Sequence, residues 1–258
     1  MNHPEPSSMV STVAERVASV QTQIAAACAR VHRPVDSVTL IAVSKTHPAS
    51  LILEAVAAGL RDFGENRVEE SGKIKPVNER AGVPLTWHMI GHVQSRKARE
   101  VTRHFRWIHS LDSVKLAERY ARFAQADNVM LNVLLEVNVS GEATKEGLEA
   151  NRWQSDPAQR ADLWAAVRQI VALPGLRVRG LMTIAPIVPE PEQARPYFVA
   201  LRKLRDGVAN DFPVTDWQTL SMGMTDDYSI AIEEGATFVR IGRAIFGARE
   251  QVQDKAER

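Results

Sequence analysis

Lys45 closes an apolar run, "LIAVSKTHPAS" from Leu40 to Ser50, in which an ammonium follows residues that belong in a buried strand. A lysine partly desolvated by Ile41 and Val43, or set close to arginines, has its pKa lowered and presents a neutral amine that attacks carbonyls. From position alone, the same residue is equally an end-of-strand lysine whose head group reaches water. Far along the chain, two glycine-bearing turns offer what such an amine would work beside. In "SMGMTDD", Ser221 supplies a hydroxyl and Gly223, followed by Met224, lets backbone N–H groups approach an anion. In "VRIGRAIFG", Gly242 is placed alike between Arg240 and Arg243. Each glycine taken singly makes a tight turn; two such turns at successive strand ends fit a phosphate cradle. The glycine spacing is not that of a dinucleotide fingerprint, and no acidic residue follows at the required distance, so a nicotinamide cofactor is rejected.

Other constellations carry less chemistry. "WHMIGH" sets His88 and His92 four apart, but Met89 stands where the zinc helix motif needs Glu. On a strand that spacing is about 13 Å, too far for one ion, and no metal site is expected. His88 is kept as a pocket residue, whereas His104 and His109 read as surface or helix-packing residues. "QSRKARE" gathers positive charge without interleaved aromatics, which describes a solvated helix face and not a nucleic-acid surface. Asp226 and Asp227 follow Thr225 at a helix start and read as capping and helix-dipole partners.

The elements that would position these groups alternate. Val13, Val17, Val20 and Ile24 recur at intervals of three and four, predicting an amphipathic helix from Met9 to about residue 32, after a polar leader over 1–8. From Val38 to Arg249, eight strand and helix pairs follow, with "VTLIAVS" the first strand, "DWQTLSMG" the seventh and "TFVRIGRA" the eighth. Near-continuous apolar strands mean burial on both faces, and eight of them point to a closed parallel (β/α)8 barrel, a TIM barrel, in one domain with an extra N-terminal helix. A doubly wound open sheet is the runner-up. The stretch 141–157 is long for a strand-to-helix connection and is expected to be a loop at the active face.

Whole-chain quantities bound the function. The 258 residues carry 32 basic and 31 acidic side chains, a net charge of +1, so no global field favours nucleic acid or an anionic membrane. Hydrophobic residues make up 45%, enough for a large core. Cys28, the lone cysteine, excludes an internal disulfide and reads as a small buried residue. With no secretory signal and no apolar run of roughly 18 residues, a cytoplasmic location is expected.

In a barrel, Lys45 at the end of the first strand neighbours the eighth, so amine and phosphate cradle share one mouth. A phosphorylated aldehyde held by an amine is pyridoxal phosphate (PLP). A sugar-phosphate aldolase working through a strand lysine fits the same residues.

The ordered motifs "AVSKT", "FGENRVEE", "WHMIGHVQSRK", "EVNVSGEATKEG", "GLMTI", "LSMGMTDD" and "VRIGRAIFG" resemble those of the pyridoxal phosphate homeostasis protein family, relatives of the alanine racemase barrel. The resemblance implies a Schiff base on Lys45, phosphate or ring-nitrogen contacts from Ser221, Gly223, Met224, Arg240 and Gly242, and Asn66, His88 and Met182 lining the pocket. It implies that Lys145 takes part in cofactor transfer, although a solvated loop charge is the plainer reading of that residue. It also implies a monomer that buffers PLP and supplies it to PLP-requiring apoenzymes with little or no catalysis. An arginine at the pyridine nitrogen leaves that nitrogen unprotonated and the ring a weaker electron sink. Arg243 departs from the small hydroxyl residue usual in the family. An amino-acid racemase remains the alternative, but it needs a second base, which related racemases take from a tyrosine. Here Tyr120 and Tyr197 fall within barrel helices and Tyr228 begins one.

Overall fold

A computed structural model describes residues 11–247. The leader 1–8, Met9 and Val10 at the front and Ala248 and Arg249 at the back lie outside the described residues.

The N-terminal helix α1 (Val13–Arg30) starts later than its apolar spacing predicts, because Thr12 ends it with a capping box. The Glu15 N–H donates to Thr12 Oγ1 at 3.2 Å, and the Thr12 N–H donates to the Glu15 carboxylate at 2.7 Å. Its inner face buries Val13, Val17, Val20, Ile24, Ala27 and Cys28. Each large aliphatic so buried contributes about 1.5–3 kcal/mol.

The barrel strands are β1 (Thr39–Val43), β2 (Asp62–Glu65), β3 (Thr86–Met89), β4 (Trp107–Leu111) and β5 (Leu131–Asn138). A two-residue β6 (Leu148–Glu149) is followed by β7 (Leu176–Met182), β8 (Thr219–Ser221) and β9 (Phe238–Ile241). All pairings are parallel, and the ring closes where β4 meets β5 and where β9 meets β1. Eight strands form the barrel as expected. The ninth, β6, pairs only with β5, Val137 opposite Leu148 and Asn138 opposite Glu149, and arises inside the stretch 141–157 that the sequence reads as loop.

Helices α2 (Ala49–Ala57), α3 (Ile74–Ala81), α4 (Ala98–His104), α5 (Val114–Ala126), α6 (Pro157–Val171), α7 (Arg195–Asp211), α8 (Tyr228–Glu233) and α9 (Arg243–Phe246) complete the chain. A 3-10 turn over Val68–Lys73 leads into α3. α1 lies across the outside, and Arg33 in the turn after it donates to the carbonyls of Ile232 (2.7 Å) and Ala236 (2.9 Å).

Candidate active site

The residue after Lys45 has an unusual backbone. Thr46 sits at φ +66°, a left-handed conformation that a β-branched residue rarely adopts and that costs on the order of 1–3 kcal/mol. The 3-10 turn Val68–Lys73 holds it there. The Thr46 N–H donates to Glu70 Oε2 at 2.6 Å, and Lys73 Nζ donates to the Ser44 carbonyl at 2.9 Å. Lys73 also pairs with Glu70 (2.9 Å) and with buried Glu65 (3.0 Å), whose Oε1 accepts the Ser44 hydroxyl at 2.5 Å. Both neighbours of Lys45 are therefore clamped by one ion cluster, and Lys45 itself stands half-buried at the end of β1. Burial pushes the Glu65 carboxyl up to about 7, against the pull of Ser44 and Lys73.

Beneath this mouth a polar chain crosses the barrel interior. Arg240 donates to Ser221 Oγ at 2.6 Å and to the Thr183 carbonyl at 3.0 Å. Ser221 Oγ lies 2.8 Å from His109 Nδ1, His109 Nε2 lies 3.0 Å from His88 Nδ1, and His88 Nε2 lies 3.1 Å from Asp62 Oδ1. Arg240 can only donate and ionised Asp62 can only accept, so the protons between them have one consistent order. The Ser221 hydroxyl donates to His109 Nδ1, and each histidine donates its Nε2–H to the next group. Both rings are then neutral. Burial lowers the pKa of His88, opposed by Asp62, and lowers that of His109 well below the ordinary range, helped by His88 and Arg240. Arg240 is buried too, and its pKa falls to about 10, so it stays charged at neutral pH.

His109 was expected at the surface or against a helix, and that reading is corrected: it is fully buried on β4 as the middle of this chain. His88 is fully buried as well and acts through hydrogen bonds below the mouth. Two polar residues, His109 and Ser110, inside the barrel strand "WIHSL" are the signal available. Asp62, Glu70, Lys73 and Thr183 carried no comparable mark.

The two glycine turns lie side by side with β1. Val43 adjoins Gly242, where an added Cβ would stand 3.3 Å from the Val43 carbonyl oxygen. Gly223 has φ +92°, and a Cβ there would lie 2.6 Å from the Ala231 Cβ, so only glycine fits. The Met224 N–H donates to Asp227 Oδ1 at 2.6 Å. Asp227 thus occupies the N-cap position of α8 without capping its N–H groups, a correction to the expected role. Asp226 pairs with Arg243 at 2.6 Å, which turns that arginine to the exposed rim. Met182 is buried abreast of Ser221 and Glu136. Asn66 and Lys145 line a cavity of about 220 Å³ at the same end of the barrel, with Glu136 and Thr183. A larger cavity, about 510 Å³, opens at the other end, beside Thr86 and Trp107 where β3 and β4 begin.

The profile of the alanine racemase N-terminal domain matches residues 18–250. The chain is 45% identical over 242 residues to the pyridoxal phosphate homeostasis protein of Pseudomonas aeruginosa, covering 93% of this chain and 97% of that one. It is 43% identical to the protein of the same name from Escherichia coli, covering 93% and 98%. It belongs to the pyridoxal phosphate homeostasis protein family. Among solved structures, PipY of Synechococcus elongatus with PLP bound superposes with a TM-score of 0.77 at 38% identity, covering 92% of this chain and 100% of that one. A D-threonine aldolase from Filomicrobium marinum, 17% identical with a TM-score of 0.65, shares the barrel fold.

The residues present fit the family's cofactor. A phosphorylated aldehyde needs an amine, a glycine-lined turn with room for oxygens, and a fixed donor. Lys45, the Gly223 and Gly242 turns and buried Arg240 are the groups at one end of the barrel that would supply them.

Proposed function

We propose that this chain binds PLP covalently through Lys45 and maintains its free supply, and so vitamin B6 balance, with little or no catalysis. The observation that carries the reading is the clamped backbone on either side of Lys45, just after β1 and beside the glycine turns of β8 and β9, in a chain 38% identical to a PLP-bound relative. When bound, PLP supplies an electrophilic carbon and an electron-withdrawing ring. In this reading Ser221, Gly223, Met224 and Gly242 receive the phosphate side. Arg240, which can only donate, would hold the ring nitrogen and keep it unprotonated. Asn66 and Met182 line the ring pocket, and His88 acts by ordering the chain that holds Arg240.

The tyrosines support weak catalysis. Tyr228 donates its hydroxyl to Gln23 of α1 at 2.7 Å, outside the barrel. Tyr120 is buried on α5, where burial raises its pKa further, and Tyr197 is on α7. None is placed as a second base, which disfavours the racemase alternative. All the groups named come from one chain, so a monomer suffices. Lys145, facing the cavity, is the residue from which PLP would pass to a recipient apoenzyme. No helix among the described residues is long and apolar enough to cross a membrane, and a cytoplasmic location fits that function.

The test is the visible spectrum of the purified protein before and after borohydride, with the modified residue mapped by mass. Wild type should show a PLP band and reduction should fix the mass on Lys45; Lys45→Ala should lose both. A band unchanged in Lys45→Ala overturns the reading, and exchange of the alanine α-proton in heavy water far above free PLP overturns the low-catalysis part.

A further inference from the structure

Beside the cavity, a second cluster converges that the proposed function leaves without a task. His92 follows β3, Asp112 follows β4 and Glu146 lies between β5 and β6, so three separate connections contribute one residue each. His92 Nδ1 lies 3.0 Å from Asp112 Oδ2, and one ligand atom from each of His92, Asp112 and Glu146 falls within 4.8 Å of the others. His88, the partner with which His92 was weighed in the sequence, points away into the interior chain.

An independent observation comes from Glu136 on β5. It is only 6% exposed and lines the same cavity as His92 and Glu146. Its Oε2 has no hydrogen-bond partner among the described residues. A buried carboxylate oxygen left unpaired costs several kcal/mol unless a cation or proton meets it. Asp112 and Glu146 are the negative charges that press on this carboxyl. Of the cations near, Arg240 is committed to Ser221 and Thr183, and Lys145 lies 3.9 Å from Glu142.

We propose that His92, Asp112 and Glu146, backed by Glu136, bind one divalent transition-metal cation at the rim of the mouth. An imidazole among carboxylates selects Mn²⁺ or Zn²⁺ over Mg²⁺ and Ca²⁺, which prefer oxygen alone. Pairs of donor atoms around one such ion at about 2.0–2.2 Å stand about 3.3–4.4 Å apart, so the cluster closes with shifts of about 1 Å or less. The His92 side chain is 48% exposed and free to make that shift. Two carboxylates neutralise the ion's charge. The ion would tie three connections together over the cavity and slow the exchange of whatever it holds; that consequence rests on the PLP reading, while the binding does not.

The experiment uses the full chain as purified, stripped with a chelator and titrated with MnCl₂ by calorimetry and electron paramagnetic resonance, then with ZnCl₂. Wild type should bind one equivalent saturably. His92→Ala and Glu146→Gln should each weaken binding about tenfold or more, with unchanged circular dichroism and thermal midpoint. Absence of a saturable site, equal affinity in both variants, or binding that appears only in Lys145→Met, which would mean that the lysine fills the cluster, each overturns the proposal. A protein that binds Mn²⁺ but carries no PLP leaves the metal site standing and removes the cofactor reading.

Discussion

Around Lys45 the decisive residues are the ones beside it. Ser44 and Thr46 are held by Glu65, Glu70 and Lys73, so the backbone on both sides of Lys45 is fixed by a neighbouring ion cluster. Lys73→Met leaves Glu65 without its cation and frees the Ser44 carbonyl. It should cost about 1–3 kcal/mol in urea unfolding, the loss expected for an uncompensated buried polar group, and speed PLP release on dilution. Glu70→Gln keeps an acceptor for the Thr46 N–H and should do markedly less. Equal effects of the two variants would mean that the Lys73–Glu70 ion pair, lost in both, and not the Thr46 backbone contact, is what matters. His109→Leu interrupts the chain from Arg240 to Asp62 and strands the Ser221 hydroxyl and His88 Nδ1. A loss of about 2 kcal/mol in urea is expected, with a shift of the PLP band as Arg240 loses its fixed position.

Elements position the site by their ends. β8 and β9 matter less for their three and four residues than for the glycine turns that follow them. Gly223→Ala forces a Cβ against Ala231 and Tyr228 at φ +92°, so the turn must open. PLP affinity, measured by equilibrium dialysis, should fall about tenfold or more with a smaller change in thermal midpoint. The connection expected to be a plain loop over 141–157 is organised by Asn138, whose Oδ1 accepts from Gly141 N at 2.9 Å and whose Nδ2 donates to the Glu142 carbonyl at 3.0 Å. It then enters β6 as a ninth strand. At the other end, Thr12→Ala removes the cap of α1 and should destabilise by about 1 kcal/mol.

The whole molecule stores a pH dependence in its buried carboxyls. Burial first, then for Glu136 the charge of Asp112, raises Glu65 and Glu136 from 4.5 to about 7. Between those values the unfolded chain has released protons that the folded chain still holds, so stability present below about pH 4.5 is lost as pH rises toward about 7. Glu136→Gln cannot ionise and should flatten that decline by roughly half in urea midpoints measured from pH 5 to 8. An unchanged slope would show that Glu136 ionises freely in the folded protein.

What the sequence by itself determined was the class of chemistry and the barrel that carries it. Eight apolar runs of strand length, separated by helical periods, admit few arrangements that bury both faces, and a lysine and two glycine turns at the ends of such runs are brought to one mouth by chain direction alone. Tertiary structure decided the contacts between groups far apart in sequence. That His109 turns inward to join His88 and Ser221, that the turn after β2 clamps the backbone at Lys45, and that His92 meets Asp112 and Glu146 all depend on strand register and on which side of a strand each residue takes. A register shift of one residue reverses that side, and composition and spacing in this chain did not settle it.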